Sequence, residues 1–571
     1  MAPGGIIDAE TAGRAFKAFI GNATGARARG DKQAETLWRE AAGALHSLDP
    51  AAIDDTAQAL LNTGQAAEAL DLATLVAALD PTSARALYRV GYVLQCQNRH
   101  GEAIPHYDAA LAMDADFPGL RNRLAASLIL TDQDRERAFH LLQAAVAANP
   151  GDADAWINLT DMYRSRKDLA ASLAAGERAI ELAPDHPMAF NNYTLALKEA
   201  QRWDEADRTA RRALALAPSA PSYQFNLGIL NLLHGRYEEG WRDHEVRWEG
   251  SGELRGRRPV LPGPAWRGEP LEGKTLLLWG EQGIGDVMQF CRYAPLLADY
   301  VNARGGRLVW NCFPQMGGLV WRSLSDGVAE YSNGGIGSLP PFDYEIALLS
   351  LPLLFGTRAE TIPWTGPYLK ADPAAAKGWR AKLARNDRLK VGLAWTGSAT
   401  HQRNPYRSVG LARYIEHLGP IAGATFFSLQ PDAKDEVAKA RAEGFDIADH
   451  TSAFQTVDDT AAFVDALDMV ITVCTSMAHL SGAMGKPTFV LLDTNPHWVW
   501  GAKEPTSAWY PTARLYRQPS FNQWTPVLEK VAQDLKALAN KAGDKASEKK
   551  APQGSAKTKA AKRPAKATSK V

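Results

Sequence analysis

Leu278-Trp279-Gly280-Glu281-Gln282-Gly283-Ile284-Gly285-Asp286 is the stretch on which the reading of this chain turns. It follows the apolar run Thr275 to Trp279 and leads into an amphipathic pattern from Val287 to about Tyr300. Apolar run, glycine-rich turn and helical pattern, in that order, predict the start of a parallel α/β sheet. Glycines let the backbone turn tightly and let a ligand approach closely. Leu308 to Cys312 and Tyr344 to Leu348 read as later strands of the same sheet.

Upstream of this stretch the chain is periodic. Pro150, Pro184 and Pro218 recur every 34 residues, each preceded by an alanine at Ala145, Ala179 and Ala213. Trp156 and Phe190 keep the interval, as do Leu159, Tyr193 and Leu227, and Tyr163 with Leu197. The pattern runs back through Ala138, Ala110, Ala103 and Ala69 with Pro81, one extra residue near Phe117 shifting its phase. Small residues let paired helices approach, an aromatic fills the space between them, and proline ends each pair because it cannot continue a helix. This periodicity resembles the tetratricopeptide repeat. Five or six units are expected from about Ala51 to Gly250, stacked as an α-solenoid with a concave surface. That surface suits a peptide or protein partner; the other reading is that the array dimerises or stiffens the chain.

Downstream, a second α/β set begins near Leu389. Val391 to Trp395 reads as a strand ending in Thr396-Gly397-Ser398, and Thr425 to Leu429 as a strand ending at Gln430. Asp459 to Leu467 reads as a helix capped by Asp458 or Asp459. Met469 to Val473 reads as a buried strand, after which Thr475-Ser476 opens a helix, Met477 to Met484, stopped by Gly485 before a strand at Thr488 to Leu492. In sheets of this kind ligands bind beyond the carboxyl ends of the strands.

A chain of 571 residues exceeds one core. The expected division is 1–50, amino-terminal helices or cap; 51–250, repeats; 251–274, a Gly/Pro/Arg-rich linker; 275–385, a first Rossmann-like domain; 386–539, a second; and 540–571, a disordered Lys/Ala/Pro tail. The formal net charge is zero, but from Lys541 onward ten basic residues face two acidic ones. The folded part shows no basic excess of the kind that nucleic-acid binding needs. Cys96, Cys291, Cys312 and Cys474 form no Cys-x-x-Cys pair, so neither a zinc site nor a disulfide framework is indicated. Met1 to Ile20 lacks the basic start and apolar core of a signal peptide. The most apolar run, Ile346 to Phe355, is too short to span a membrane. A soluble, cytoplasmic chain is expected.

Four segments, taken together, resemble the bacterial tetratricopeptide-repeat glycosyltransferases, relatives of the heptosyltransferases and, more distantly, of the O-linked N-acetylglucosamine transferases. They are Leu278 to Asp286, Asp459-Thr460-Ala461-Ala462, Ala478-His479-Leu480-Ser481-Gly482-Ala483, and Ala508-Trp509-Tyr510-Pro511-Thr512. The resemblance covers roughly Ala51 to Leu538. It implies a GT-B arrangement of two Rossmann-like domains with a cleft between them. It also implies a nucleotide-sugar donor and, since some members of this architecture modify flagellin with nonulosonic acids, flagellin or another secreted or surface protein as acceptor.

In that frame Asp286 is the general base of an inverting transfer, with Glu281, Gln282, Gly283 and Gly285 lining the acceptor side. The same Asp286 also suits a plain role at a helix start. Thr475 and Ser476 at a helix start suit a donor phosphate, and His479 shares their side of the helix at helical spacing. Thr396 and Gly397 belong to the donor loop, in which Arg407 is a bidentate phosphate partner. Gln430 is placed to read the base, and Trp498 to stack on it. Cys474 departs from the heptosyltransferases and most of the tetratricopeptide relatives, which carry Asp before this Thr; the resemblance then implies a different donor sugar, with which a CMP-nonulosonic acid is compatible, or a loss of activity. No Asp-x-Asp pair falls at a strand end of the catalytic half, so a metal-independent enzyme without a cofactor is expected. Two rival readings stand beside it: a non-catalytic repeat scaffold, and a transferase acting on a lipid or polysaccharide.

Overall fold

The computed structural model describes residues 9–47, 50–79, 81–334, 338–363, 366–384 and 388–550. The chain divides into two compact units, Met1–Ala217 and Pro218–Val571.

The first unit is a run of helical hairpins. Its described helices are Ala9–Ala28, Lys32–Ser47, Pro50–Asn62, Ala66–Leu79, Ala84–Cys96, His100–Met113, Leu120–Leu130, Arg135–Ala148, Ala153–Ser165, Leu169–Leu182, Pro187–Glu199 and Trp203–Leu216. Short polar side chains start several of them: Ser83, Asp134, Asp152 and Asp168 each accept a hydrogen bond from a first-turn amide. Close packing rests on small residues. A Cβ on Gly91 would lie 2.7 Å from the Tyr107 ring, and Gly176 meets Tyr193 in the same way. The two helices before residue 50 share this core, because Phe19 and Trp38 are buried in the same cluster as Tyr107 and Leu142, their rings 5.7 Å apart.

The second unit opens with two more helices of repeat-like sequence, Pro221–Leu233 and Tyr237–His244, and a short helix Arg247–Gly250. Two sheets follow. The first holds β1 (Thr275–Trp279), β2 (Arg307–Asn311), β3 (Glu330–Ser332) and β4 (Tyr344–Ala347) in the order β3-β2-β1-β4. The second holds β5 (Leu389–Ala394), β6 (Ala424–Ser428), β7 (Ile447–Asp449), β8 (Met469–Val473), β9 (Thr488–Leu492) and β10 (Ala513–Arg517) in the order β10-β9-β8-β5-β6-β7. All neighbouring strands are parallel. Every residue of β8 and of β9 is buried, as strands covered on both faces require.

Several expectations change. The pattern from Val287 to Tyr300 is not one helix but Ile284–Phe290, a 3-10 turn Cys291–Tyr293, and Ala294–Asn302. Pro295 explains the break: it has no N–H to donate and its ring clashes with the preceding turn, so it restarts the helix near its first position. Thr456, not Asp458 or Asp459, caps the helix Val457–Asp465; Asp459 returns a bond to the Thr456 amide. The segment 251–274 is irregular but tied down at Ala265, which pairs with Glu345 of β4. The expected tail from Asn540 begins as helix, since the last helix runs Thr525–Lys550; its remainder, 551–571, lies outside the described residues. Among the described residues no helix is long and apolar enough to cross a membrane.

Candidate functional site

Each sheet has one place where the strand order reverses. In the first sheet the chain moves outward from β1 through β2 to β3, while β4 lies on the other side of β1. In the second it moves from β5 to β7 one way and from β8 to β10 the other. Connections leaving neighbouring strands in opposite directions open a crevice at their carboxyl ends. Most of the sequence-predicted residues lie at these two crevices, in the loop 280–286 after β1 and the segments after β5 and β8; Gln430 follows β6 and Trp498 follows β9.

The two crevices adjoin. Gly285 lies in the first turn of the helix after β1, and a Cβ there would sit 3.1 Å from His479 Cδ2 and 3.4 Å from Ser476 Cα. The helix Ile284–Phe290 thus meets the start of the helix Ser476–Ala483 with no room for a side chain. This is a packing demand, since the Gly285 backbone is ordinary. The strained residue is Gln282, whose φ of 60° is left-handed. Asp286 is half-buried, and its Oδ2 accepts from the Gly283 amide at 3.0 Å. Burial, with the nearby carboxylates of Glu281 and Glu253 adding to it, pushes the Asp286 carboxyl up to about 6 against the pull of the Gly283 N–H.

On the second sheet, Thr475 caps its helix by accepting from the Met477 amide at 3.3 Å, and Ser476 is exposed. Gln430 Oε1 accepts from the Thr396 amide at 3.2 Å, joining the ends of β5 and β6. The Gly397 amide donates to Asn404 Oδ1 at 2.8 Å, and a Cβ on Gly397 would lie 2.5 Å from Arg407 Nη2. Arg403 and Arg407 then part company. Arg403 pairs with buried Asp493 at 2.6 Å. Arg407 donates to the Cys474 carbonyl at 2.7 Å, its Nε is buried without a partner, and among the described residues it pairs with no carboxylate. After burial, its positive charge helps hold three imidazoles neutral: His401 is lowered, His497 falls to about 4, and His479 to about 3. Of these two arginines beside the crevice between β5 and β8, Arg407 is the one left without a carboxylate partner among the described residues.

Other sequence-predicted residues are spoken for by the protein. Both oxygens of Glu281, expected on the acceptor side, bind buried Arg247 at 2.8 and 2.7 Å, and Oε1 also takes the Leu349 amide. Trp498, expected to stack on a base, is buried against Trp241, Trp509 and Phe290, with ring centroids 5.2, 5.5 and 6.2 Å away. Its large apolar face is used where the helix Tyr237–His244 meets both sheets' elements. His479 is buried and bonded through Nδ1 to Tyr510 at 2.9 Å. Cys474 is buried, its sulfur accepting from Trp500 Nε1 at 3.1 Å, so it offers no carboxylate to a sugar hydroxyl.

Two arginines escaped sequence reasoning. Arg247 holds the glycine loop. Arg292 is wholly buried, donating to Tyr368 at 2.7 Å and to the Trp509 carbonyl at 3.2 Å, with Tyr368, Trp509 and Tyr510 rings around it. The resembling segment 508–512 was the available signal for Arg292; for Arg247 there was none.

A tetratricopeptide-repeat profile matches residues 55–118, 124–187 and 195–240. Protein FlbA of Caulobacter vibrioides is 28% identical over 474 residues, covering 79% of this chain and 78% of that protein. That share exceeds either unit, so the likeness spans both. The mouse protein O-mannosyl-transferase TMTC1 is 27% identical over 143 residues, 24% of this chain, and the chain spans only 15% of its length. Among solved structures, the tetratricopeptide-repeat protein YrrB, described as having an unusual peptide-binding site, is 23% identical, covering 30% of this chain and 88% of its own, with a TM-score of 0.25. The Cut9–Hcn1 structure is 14% identical, covering 38% of this chain and 43% of its own, with a TM-score of 0.35. The amino-terminal array of this chain is built of tetratricopeptide repeats.

Proposed function

We propose that the chain is a GT-B-like protein O-glycosyltransferase that moves a sugar from a nucleotide donor to a Ser or Thr hydroxyl. The observation that carries this reading is one juxtaposition: a carboxyl raised to about 6 in the first turn of one helix, whose neighbour Gly285 touches the start of the helix at Ser476. A base works best when its pKa is close to the operating pH. Asp286 takes the acceptor proton while the hydroxyl oxygen attacks the anomeric carbon and the bond from that carbon to the donor phosphate breaks. The departing phosphate carries the negative charge, which Arg407 and the amides at the start of the Ser476 helix stabilise. Thr396, Gly397 and Gln430 shape the nucleotide side. The reading needs no metal or cofactor in this step.

The repeats bind the acceptor protein, and flagellin is the first acceptor to test. Buried Cys474 in place of a carboxylate favours a donor other than a plain hexose, and a CMP-nonulosonic acid is the first donor to test. The same Cys474 gives a non-catalytic scaffold its one supporting observation. Intact-mass analysis of flagellin coexpressed with the chain and a nonulosonic-acid pathway tests the activity. A mass increase that disappears with Asp286→Asn is expected. Unmodified flagellin, together with no calorimetric binding of CMP, UDP or GDP, would favour the scaffold.

A further inference from the structure

The loop bearing Asp286 is gripped from the helical side of the second unit. Arg247 opens the short helix that ends the hairpin Pro221–Gly250. Its Nε and Nη2 donate to the two oxygens of Glu281, and the two side chains are 2% and 0% exposed. Nη1 reaches Glu245 Oε1 at 3.0 Å, Nη2 also reaches Ser350 Oγ at 3.0 Å, and that hydroxyl donates to Glu245 Oε2 at 2.9 Å. The Leu349 amide donates to Glu281 Oε1 at 3.0 Å. One carboxylate at the carboxyl end of β1 is therefore tied to the end of β4 and to the repeat-like hairpin together. Next along the chain comes left-handed Gln282, then Gly283, whose amide holds Asp286.

A two-bond guanidinium–carboxylate pair fixes orientation as well as distance. Buried ion pairs are poor grounds for stability, since apolar replacements often serve as well. The place of this pair supplies another use for it. We infer that Arg247 is a positioning residue: by clamping Glu281 it sets the loop 280–286 and so the location and surroundings of the Asp286 carboxyl. The inference rests on the reading of Asp286 as the proton acceptor. It makes the last repeat-like hairpin part of the catalytic machinery rather than a tether, consistent with its membership of the second compact unit.

The charged and titratable groups around Asp286 are Glu281 on its own loop, Glu253 on the segment after Gly250, and His479 across Gly285. His479 is held neutral, so the negative neighbours set the sign. Glu281→Gln removes one of them and leaves the cationic Arg247 in place. It should lower the Asp286 titration midpoint, read by carbon-13 NMR of labelled aspartate with Asp286→Asn as the assignment control, by roughly half a pH unit. The acid limb of the kcat/KM profile should move down with it. At the plateau, kcat should fall about tenfold while nucleotide affinity stays within twofold, because a displaced base loses rate and not binding. A loop with a merely structural part would leave the midpoint and the limb where they are. Should Glu281→Gln fail to fold, the Arg247→Met/Glu281→Leu pair, which removes both charges of the clamp, carries the same expectation for the plateau kcat and for nucleotide affinity. An unchanged midpoint and plateau kcat in folded Glu281→Gln, or an unchanged plateau kcat in the folded double variant, overturns the inference. Full transfer by Asp286→Asn overturns the base reading alone, and the midpoint still decides whether the pair governs Asp286.

Discussion

In the repeat unit a glycine lies under a tyrosine ring, Gly91 beneath Tyr107 and Gly176 beneath Tyr193, and buried alanines and leucines fill the helix contacts around them. In the second unit the comparable places hold a guanidinium among aromatic rings at Arg292, an ion pair at Arg247–Glu281, and buried imidazoles at His244 and His479. The first kind of contact joins residues less than a repeat apart. The second joins residues separated by tens or hundreds of positions, such as Arg292 and Trp509. Repetition needs only a shape that copies itself. A site needs polar groups fixed in one arrangement, and burying them satisfied is what fixes them.

The contrast can be broken most forcefully at Trp241. Its indole is buried against Trp498, Trp509 and Phe290 and donates to the Thr357 carbonyl at 3.1 Å. Trp241→Ala should cost the second unit about 3–5 kcal/mol. Hydrogen exchange should show protection lost through both sheets while the helices before Ala217 keep theirs. Gly176→Ala is the matching change in the repeats. The added methyl meets the Tyr193 ring, for about 1–3 kcal/mol, and exchange should quicken around Leu169–Leu182 and Pro187–Glu199 with the sheets unchanged. Equal loss of protection in both units after either substitution would erase the distinction.

Acidification sharpens it. The folded pKa values of His479 and His497 are depressed to about 3 and about 4, so their contribution is present above the unfolded value near 6.5 and lost as pH falls through that window. Each imidazole withdraws about 1.4 kcal/mol per pH unit below 6.5. Asp286 works in the opposite sense between about 4 and 6, because its folded pKa is raised, and it offsets one of the two. Denaturant titrations at pH 7 and pH 5 should therefore show the second unit weakening by about 2 kcal/mol or more. A pH-independent second unit would remove the buried imidazoles from the account.

How much of this was legible before the structure follows the same divide. The repeats could be read from Pro150, Pro184 and Pro218 because each unit repeats the same local contacts. β1 and the glycine loop could be read because apolar run, turn and helix are adjacent in sequence. The interruption at Pro295 was not read, because the helical periodicity on either side of it concealed the break. Short strands such as β3 and β7, three residues each, carry too little pattern to register. Trp498 could not be told apart from a stacking platform, because the rings that bury it come from positions 241, 290 and 509. Glu281 and Arg247 each look like ordinary charged residues until the fold brings them together.

The most direct test of the central claim, that the two crevices form one donor-and-base site, is a crystal structure with a bound nucleotide. CMP, UDP or GDP should place its phosphate on Arg407 and the amides at Ser476, between Thr396–Gly397 and Thr475, with Asp286 facing the open side. A nucleotide held elsewhere on the second unit, or one whose phosphate ignores Arg407, would contradict the account.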